Sequence, residues 1–168
     1  MSTHNAGYHI RLAEREVKDR RAMFGILARN SVVTIAMSRN DEPYLVSVNY
    51  AYDPKAKSIF FHSAKSGKKL DYLEANPTVW CQVMEDMGYI EDKCDYAYRT
   101  VQFLGNAEEV DNGDEKKAAL ALLIDQFACD TERMRTRLLK KGRLDRVRVF
   151  KIKILRMTCK ESLRTHRK

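Results

Sequence analysis

The residues best suited to chemistry lie close together, in Ile59-Phe60-Phe61-His62-Ser63-Ala64-Lys65-Ser66-Gly67-Lys68-Lys69-Leu70-Asp71-Tyr72-Leu73. A strand that ends in His-Ser, followed by a small polar turn and two lysines at a helix start, is suited to holding an anion. Backbone N–H groups, a hydroxyl and ammonium groups would converge on one phosphate. The same residues also describe an ordinary strand-to-helix connection with solvated lysines. The stretch alone does not separate the two readings.

The elements around it decide how these groups are presented. Residues 14–29 carry a narrow apolar stripe (Val17, Phe24, Leu27, Ala28) among charges and predict a surface helix. Val32 to Ser38 is rich in β-branched residues and predicts a strand. After the turn Arg39–Pro43, Tyr44 to Tyr52 alternates. Tyr44, Val46, Val48, Tyr50 and Tyr52 share one face, while Ser47 and Asn49 take the other. Asp53 to Lys57 is a second tight turn, leading into Ile59–Ser63. Three strands joined by short turns form an antiparallel meander, which disfavours a doubly wound nucleotide fold.

Asn76-Pro77 stops the short helix after the lysines. Thr78 to Met84 then alternates, with Val79, Cys81 and Val83 opposite Trp80, Gln82 and Met84. Glu85 to Asp95 is polar and reads as a loop. Ala97 to Val110 predicts a long strand bent at Gly105. Asp114 and Glu115 favour a helix start, and Ala119, Leu120, Leu123, Ile124 and Phe127 give that helix its apolar face. A basic helix over 131–141, stopped at Gly142, precedes a last alternating strand, Asp145 to Met157. Six strands with helices outside them predict a mainly β fold, a small closed or split antiparallel barrel.

The 168 residues fit one domain with its own core. Hydrophobic content of 44% and charged content of 32% describe a globular chain. Residues 1–13 and 161–168 are expected as flexible or partner-contacting tails. No apolar run approaches the roughly 20 residues that cross a bilayer. The N-terminus lacks the pattern of a signal peptide, so a cytoplasmic location and no membrane partner are expected. Cys81, Cys94, Cys129 and Cys159 form no C-x-x-C pair and read as reduced thiols. They do not cluster with His4, His9, His62 or His166, so no metal site is expected. The net charge of +8 favours an anionic partner. It gathers in Arg133, Arg135, Arg137, Lys140, Lys141, Arg143, Arg146 and Arg148, without the signature of a nucleic-acid module.

Taken in order, the motifs resemble the FMN-binding split barrels of the pyridoxamine 5′-phosphate oxidase-like superfamily, and within it the branch of nitroimidazole-resistance (Nim-type) flavoproteins. The resemblance runs over about residues 15–160. It is carried by Pro43-Tyr44-Leu45-Val46-Ser47-Val48-Asn49-Tyr50, Phe60-Phe61-His62-Ser63-Ala64 with Gly67-Lys68-Lys69, and Leu73-Glu74-Ala75-Asn76-Pro77. It continues in Cys94-Asp95-Tyr96, Arg99-Thr100-Val101, Gly105-Asn106-Ala107 and the closing strand Val147 to Lys160.

The resemblance implies a six-stranded antiparallel split β-barrel that forms a homodimer, with FMN at the subunit interface. By the same resemblance Ser47, Val48 and Asn49 would line the flavin ring, and Phe61, His62 and Ser63 would end the neighbouring strand beside it. Lys68 and Lys69 would take the phosphate, and Thr100 and Gln102 would approach from the long strand. His62 is the internal histidine that matches the one associated with the flavin in Nim-type proteins, and its ordinary pKa range suits proton donation. The arginine- and tryptophan-bearing C-terminal signature of true pyridoxamine phosphate oxidases has no counterpart, since Trp80 is the only tryptophan. The expected function is therefore an FMN-dependent oxidoreductase of small molecules other than vitamin B6. Two alternatives stay open: a heme-binding or heme-handling barrel, with His166 in the basic tail, and a non-catalytic module that binds flavin or nucleic acid.

Overall fold

The computed structural model describes residues 10–91 and 94–163. It is mainly β with flanking helices. Seven antiparallel strands form one sheet: β1 (Val32–Arg39), β2 (Glu42–Asn49), β3 (Ala51–Asp53), β4 (Ser58–Ser63), β5 (Thr78–Ile90), β6 (Asp95–Glu109) and β7 (Arg148–Ser162). Their order is β2-β1-β5-β6-β7-β4-β3, so the two edges are β2 and β3, neighbours in the chain. The sheet curls until its edges approach each other where the chain passes from β2 to β3, without closing its ladder, as in a split barrel.

The expected strand Tyr44–Tyr52 is two strands, which raises the count from six to seven. The reason is Tyr50. Asn49 still pairs with Val32 in β1, whereas Ala51 already pairs with Phe60 in β4. Between them the Tyr50 N–H donates to the Ser31 carbonyl at 3.0 Å. Its hydroxyl donates to the Leu27 carbonyl at 2.7 Å, and its ring is fully buried. Leu27 lies in α1 (Arg20–Arg29), where the last carbonyls have no partner within the helix.

Alternation sorts the side chains as the sequence suggests. Val33, Ile35, Val79, Cys81, Val83, Val101 and Phe103 face the core. Val46 and Val48 pack against it, while Ser47, Asn49, Trp80 and Gln82 point outward. Helix α1 covers part of the core with Met23, Ile26 and Leu27, and α2 (Lys68–Ala75) covers another with Leu70, Tyr72 and Leu73. Helix α3 (Gly113–Phe127) lies outside the sheet on β3, β4 and β7, forming a second small core with Phe60, Val110 and Val149.

Other boundaries move for local reasons. Helix α1 begins at Arg20 because the Asp19 carboxylate caps the Arg21 N–H at 2.9 Å. Glu85–Asp95 is no loop over most of its length. The β5–β6 ladder continues to Ile90–Asp95 through a bulge, where the Asp86 carboxylate accepts from the Gly88 N–H and Gly88 takes φ 84°. The bend at Gly105 is present as a register shift against β7, and a Cβ there would stand 2.4 Å from Ile152 Cγ2. The basic segment divides into α4 (Thr131–Leu138) and the short α5 (Lys141–Leu144), with Gly142 inside α5 and not at a helix end. Strand β7 starts later than expected and runs to Ser162, taking in the first residues of the expected tail. His4, His9 and His166 lie outside the described residues.

Tyr50→Phe should keep the fold but lose the bond to Leu27, destabilising the protein by about 1–2 kcal/mol. Urea unfolding of the two proteins measures that difference.

Candidate functional site

On the outer surface of the sheet, beside the break at Tyr50, lies a cavity of about 580 Å³. Asn49 comes to it from the end of β2 and His62 from β4. Leu120, Leu123, Ile124 and Phe127 of α3, with Met134, Leu138 and Leu139 after it, make most of the remaining wall. Strand alternation accounts for this placement. In β4, Phe61 turns inward to stack on Phe150 at 5.3 Å, so Phe60 and His62 turn outward toward α3. Phe60 is sealed beneath that helix, and His62 is left at the cavity.

Solvent reaches the His62 ring. Crowding by its surroundings, ahead of repulsion from the Lys69 ammonium, nonetheless holds its pKa below the ordinary histidine value. The imidazole is therefore neutral at pH 7, a hydrogen-bond donor at one nitrogen and an acceptor at the other.

Ser63 follows with its hydroxyl buried and unpartnered among the described residues. A buried hydroxyl without a partner is uncommon, and this one faces away from the cavity, since Ser63 alternates with His62 along β4. The turn after it leads through Gly67, at φ 136°, into α2. The two lysines there differ. Lys68 is already neutralised by Glu42 at 2.9 Å and lies over the rings of Tyr44 and Tyr72. Lys69 is half-buried and forms no ion pair among the described residues, which leaves it the more available cation.

Behind the turn, Arg148 fastens the site. It pairs with Glu109 at the end of β6 and with Glu74 of α2 at 2.7 Å, and its guanidinium lies 5.3 Å from the Phe150 ring centroid. In β7 it sits opposite Ser63. The helix that carries Lys69 is thus tied to the strand ends that carry His62 and Ser63. The pair holds the Glu109 carboxyl below the usual carboxylate range.

Ser47 is exposed and shares a 3.0 Å hydrogen bond with Thr34. Val48 packs inward and Phe61 is fully buried, so their side chains belong to the core. Thr100 and Gln102 lie on β6, three strands from Asn49 across the outer face, a separation of about 14 Å at ordinary strand spacing. Thr100 has a buried, unpartnered hydroxyl, and Gln102 donates to Gln82 at 2.8 Å. One chain therefore brings Asn49 and His62 to one cavity with Lys69 near His62, turns the Ser63 side chain to the opposite face of β4, and leaves Thr100 and Gln102 apart from them. The helical wall is absent from the sequence-derived site. The apolar faces of α3 and the segment after it were the available signal, but nothing in their spacing says which strand they cover.

A family model described as pyridoxamine 5′-phosphate oxidase matches residues 19–161. The chain belongs to that family. Among solved structures it is similar to a candidate 5-nitroimidazole antibiotic resistance protein from Bacteroides thetaiotaomicron. The two share 19% identity over 86% of this chain and 85% of the other, with a TM-score of 0.69. It is also similar to an FAD and heme binding protein from Mycobacterium smegmatis, at 17% identity over 88% of this chain and 73% of the other, TM-score 0.72. An uncharacterised protein of Rhizobium meliloti (strain 1021) is 30% identical over 69 residues, which is 41% of this chain and 44% of that protein. The chain thus matches less than half the length of that relative. No helix among the described residues is long and apolar enough to cross a membrane.

The Arg148–Glu109 pair makes a pH prediction. Glu109 has a lower pKa folded than unfolded, so its contribution to stability is present above the unfolded value and is lost as pH falls through the folded one. Melting temperature should therefore drop between about pH 5 and pH 3, and Arg148→Gln, already less stable, should drop less steeply over that window. Thermal melts across the range check this.

Proposed function

We propose that this family member binds FMN as a homodimer and acts as an oxidoreductase on small molecules. The reading rests chiefly on one observation: His62 and Asn49 line a largely apolar cavity, and Lys69, which forms no ion pair among the described residues, stands close enough to repel charge on His62. A flavin asks for that combination, a flat apolar slot with a few polar groups and a cationic end for its phosphate. The phosphate would take the turn that starts α2 and Lys69, with Lys68 adding charge from behind its bond to Glu42. Asn49 would hydrogen-bond the polar edge of the ring, and the adjoining backbone of Ser47 and Val48 would flank it. His62 would orient a reacting group and pass it a proton. When bound, the flavin supplies the hydride chemistry.

The homodimer has its own support. The outer sheet face exposes Leu45, Trp80 and Met84 around the hydrogen-bonded Thr34–Ser47 and Gln82–Gln102 pairs. Apolar residues around a satisfied polar centre suit burial against a second copy. Such a copy would bring its Thr100 and Gln102, too distant within one chain, toward the flavin. The free thiols fit a reducing, cytoplasmic setting.

Titration of the protein with FMN, read by quenching of flavin fluorescence, tests the phosphate end. Lys69→Ala should weaken binding by about tenfold, the order expected for one charge-assisted contact. Lys68→Ala should cost less, because Glu42 already holds that ammonium. Equal affinity in wild type and Lys69→Ala would place the phosphate elsewhere.

A further inference from the structure

The cavity that His62 lines carries charged groups in its own wall. Arg143 of α5 and Arg146, just after it, both line the cavity. Both side chains are exposed, and neither forms an ion pair among the described residues. Other arginines of this segment differ in this. Arg135 of α4 is bound to Asp125, and Arg148, two residues beyond Arg146, holds two glutamates. Apart from these arginines, His62 and Asn49 the lining is apolar, supplied chiefly by Leu123, Ile124, Phe127, Met134, Leu138 and Leu139.

Two unneutralised guanidiniums in the lining of an apolar cavity recognise a defined chemistry. Guanidinium forks bind carboxylates and other oxyanions in two-point fashion, and the apolar wall gains by covering hydrocarbon. We infer that this cavity takes an organic anion with an apolar body, its acidic group on Arg143 and Arg146 and its body against α3 and α4 with one end at His62. Calling that ligand the substrate rests on the flavin reading above; the ligand class itself does not. A neutral apolar molecule would leave both arginines unused, and a purely polar anion would leave the wall wet.

The test uses two fluorescent probes of similar ring structure, 8-anilinonaphthalene-1-sulfonate, an anion, and N-phenyl-1-naphthylamine, which is neutral. The anion should bind the wild-type chain more tightly than the neutral probe. Arg143→Gln with Arg146→Gln should weaken the anion about tenfold, the size of a lost charged hydrogen bond, and leave the neutral probe unchanged. Both substitutions are on exposed side chains and should leave the fold intact. An unchanged affinity for the anion in the double variant, or equal affinities of the two probes in wild type, would overturn the assignment. FMN titrated into the same two proteins separates this claim from the flavin reading. Arginine-dependent probe binding without any FMN binding keeps the ligand class and removes the flavin. A loss of FMN affinity in the double variant would show that the arginines serve the flavin itself and would overturn the proposal.

Discussion

The interruption of one long strand at Tyr50 is the constraint on which the rest depends. A buried phenol needs a hydrogen-bond partner, and the one it finds is a helix-end carbonyl, Leu27, that needs a donor. Satisfying both fixes the point at which the chain leaves the β1 ladder and joins that of β4. Without the switch, Asn49 and His62 would lie toward opposite ends of an open sheet, in β2 and β4. With it, they line one cavity.

Around that switch, charge is divided between fastening and recognition. Arg29 with Glu85, Arg148 with Glu109 and Glu74, and Arg99 with Glu161 join elements distant in sequence. Such pairs contribute little each where they are exposed. Those partly shielded also fix where a helix sits, as Arg148 does for α2. The cations left over are informative for the same reason. Among them, Arg143 and Arg146 form no ion pair with the described residues and line the cavity.

Much of the fold was legible because alternation is a strong signal in strands that bury one face. Val79, Cys81 and Val83 against Trp80, Gln82 and Met84 fell as their spacing says. The anion-holding look of His62 to Lys69 was legible too, and the described geometry separates its members: Lys68 is spent on Glu42, a residue 26 positions earlier that no local reading connects to it. The β5–β6 extension was missed because its residues are polar. Polar strands can pair without an apolar face as long as the ladder continues. The break at Tyr50 was missed because Tyr44 to Tyr52 alternates without interruption, and only the tertiary bond to Leu27 reveals the change of partner. The helical wall of the cavity depended on contacts that spacing along one helix does not encode.

The absorption spectrum of the purified protein after incubation with FMN tests the central claim most directly. The account predicts that flavin stays with the protein through gel filtration and shows two visible bands shifted from those of free FMN. A colourless protein from which all the flavin elutes separately, or one carrying an intense Soret band in place of the flavin bands, would contradict it.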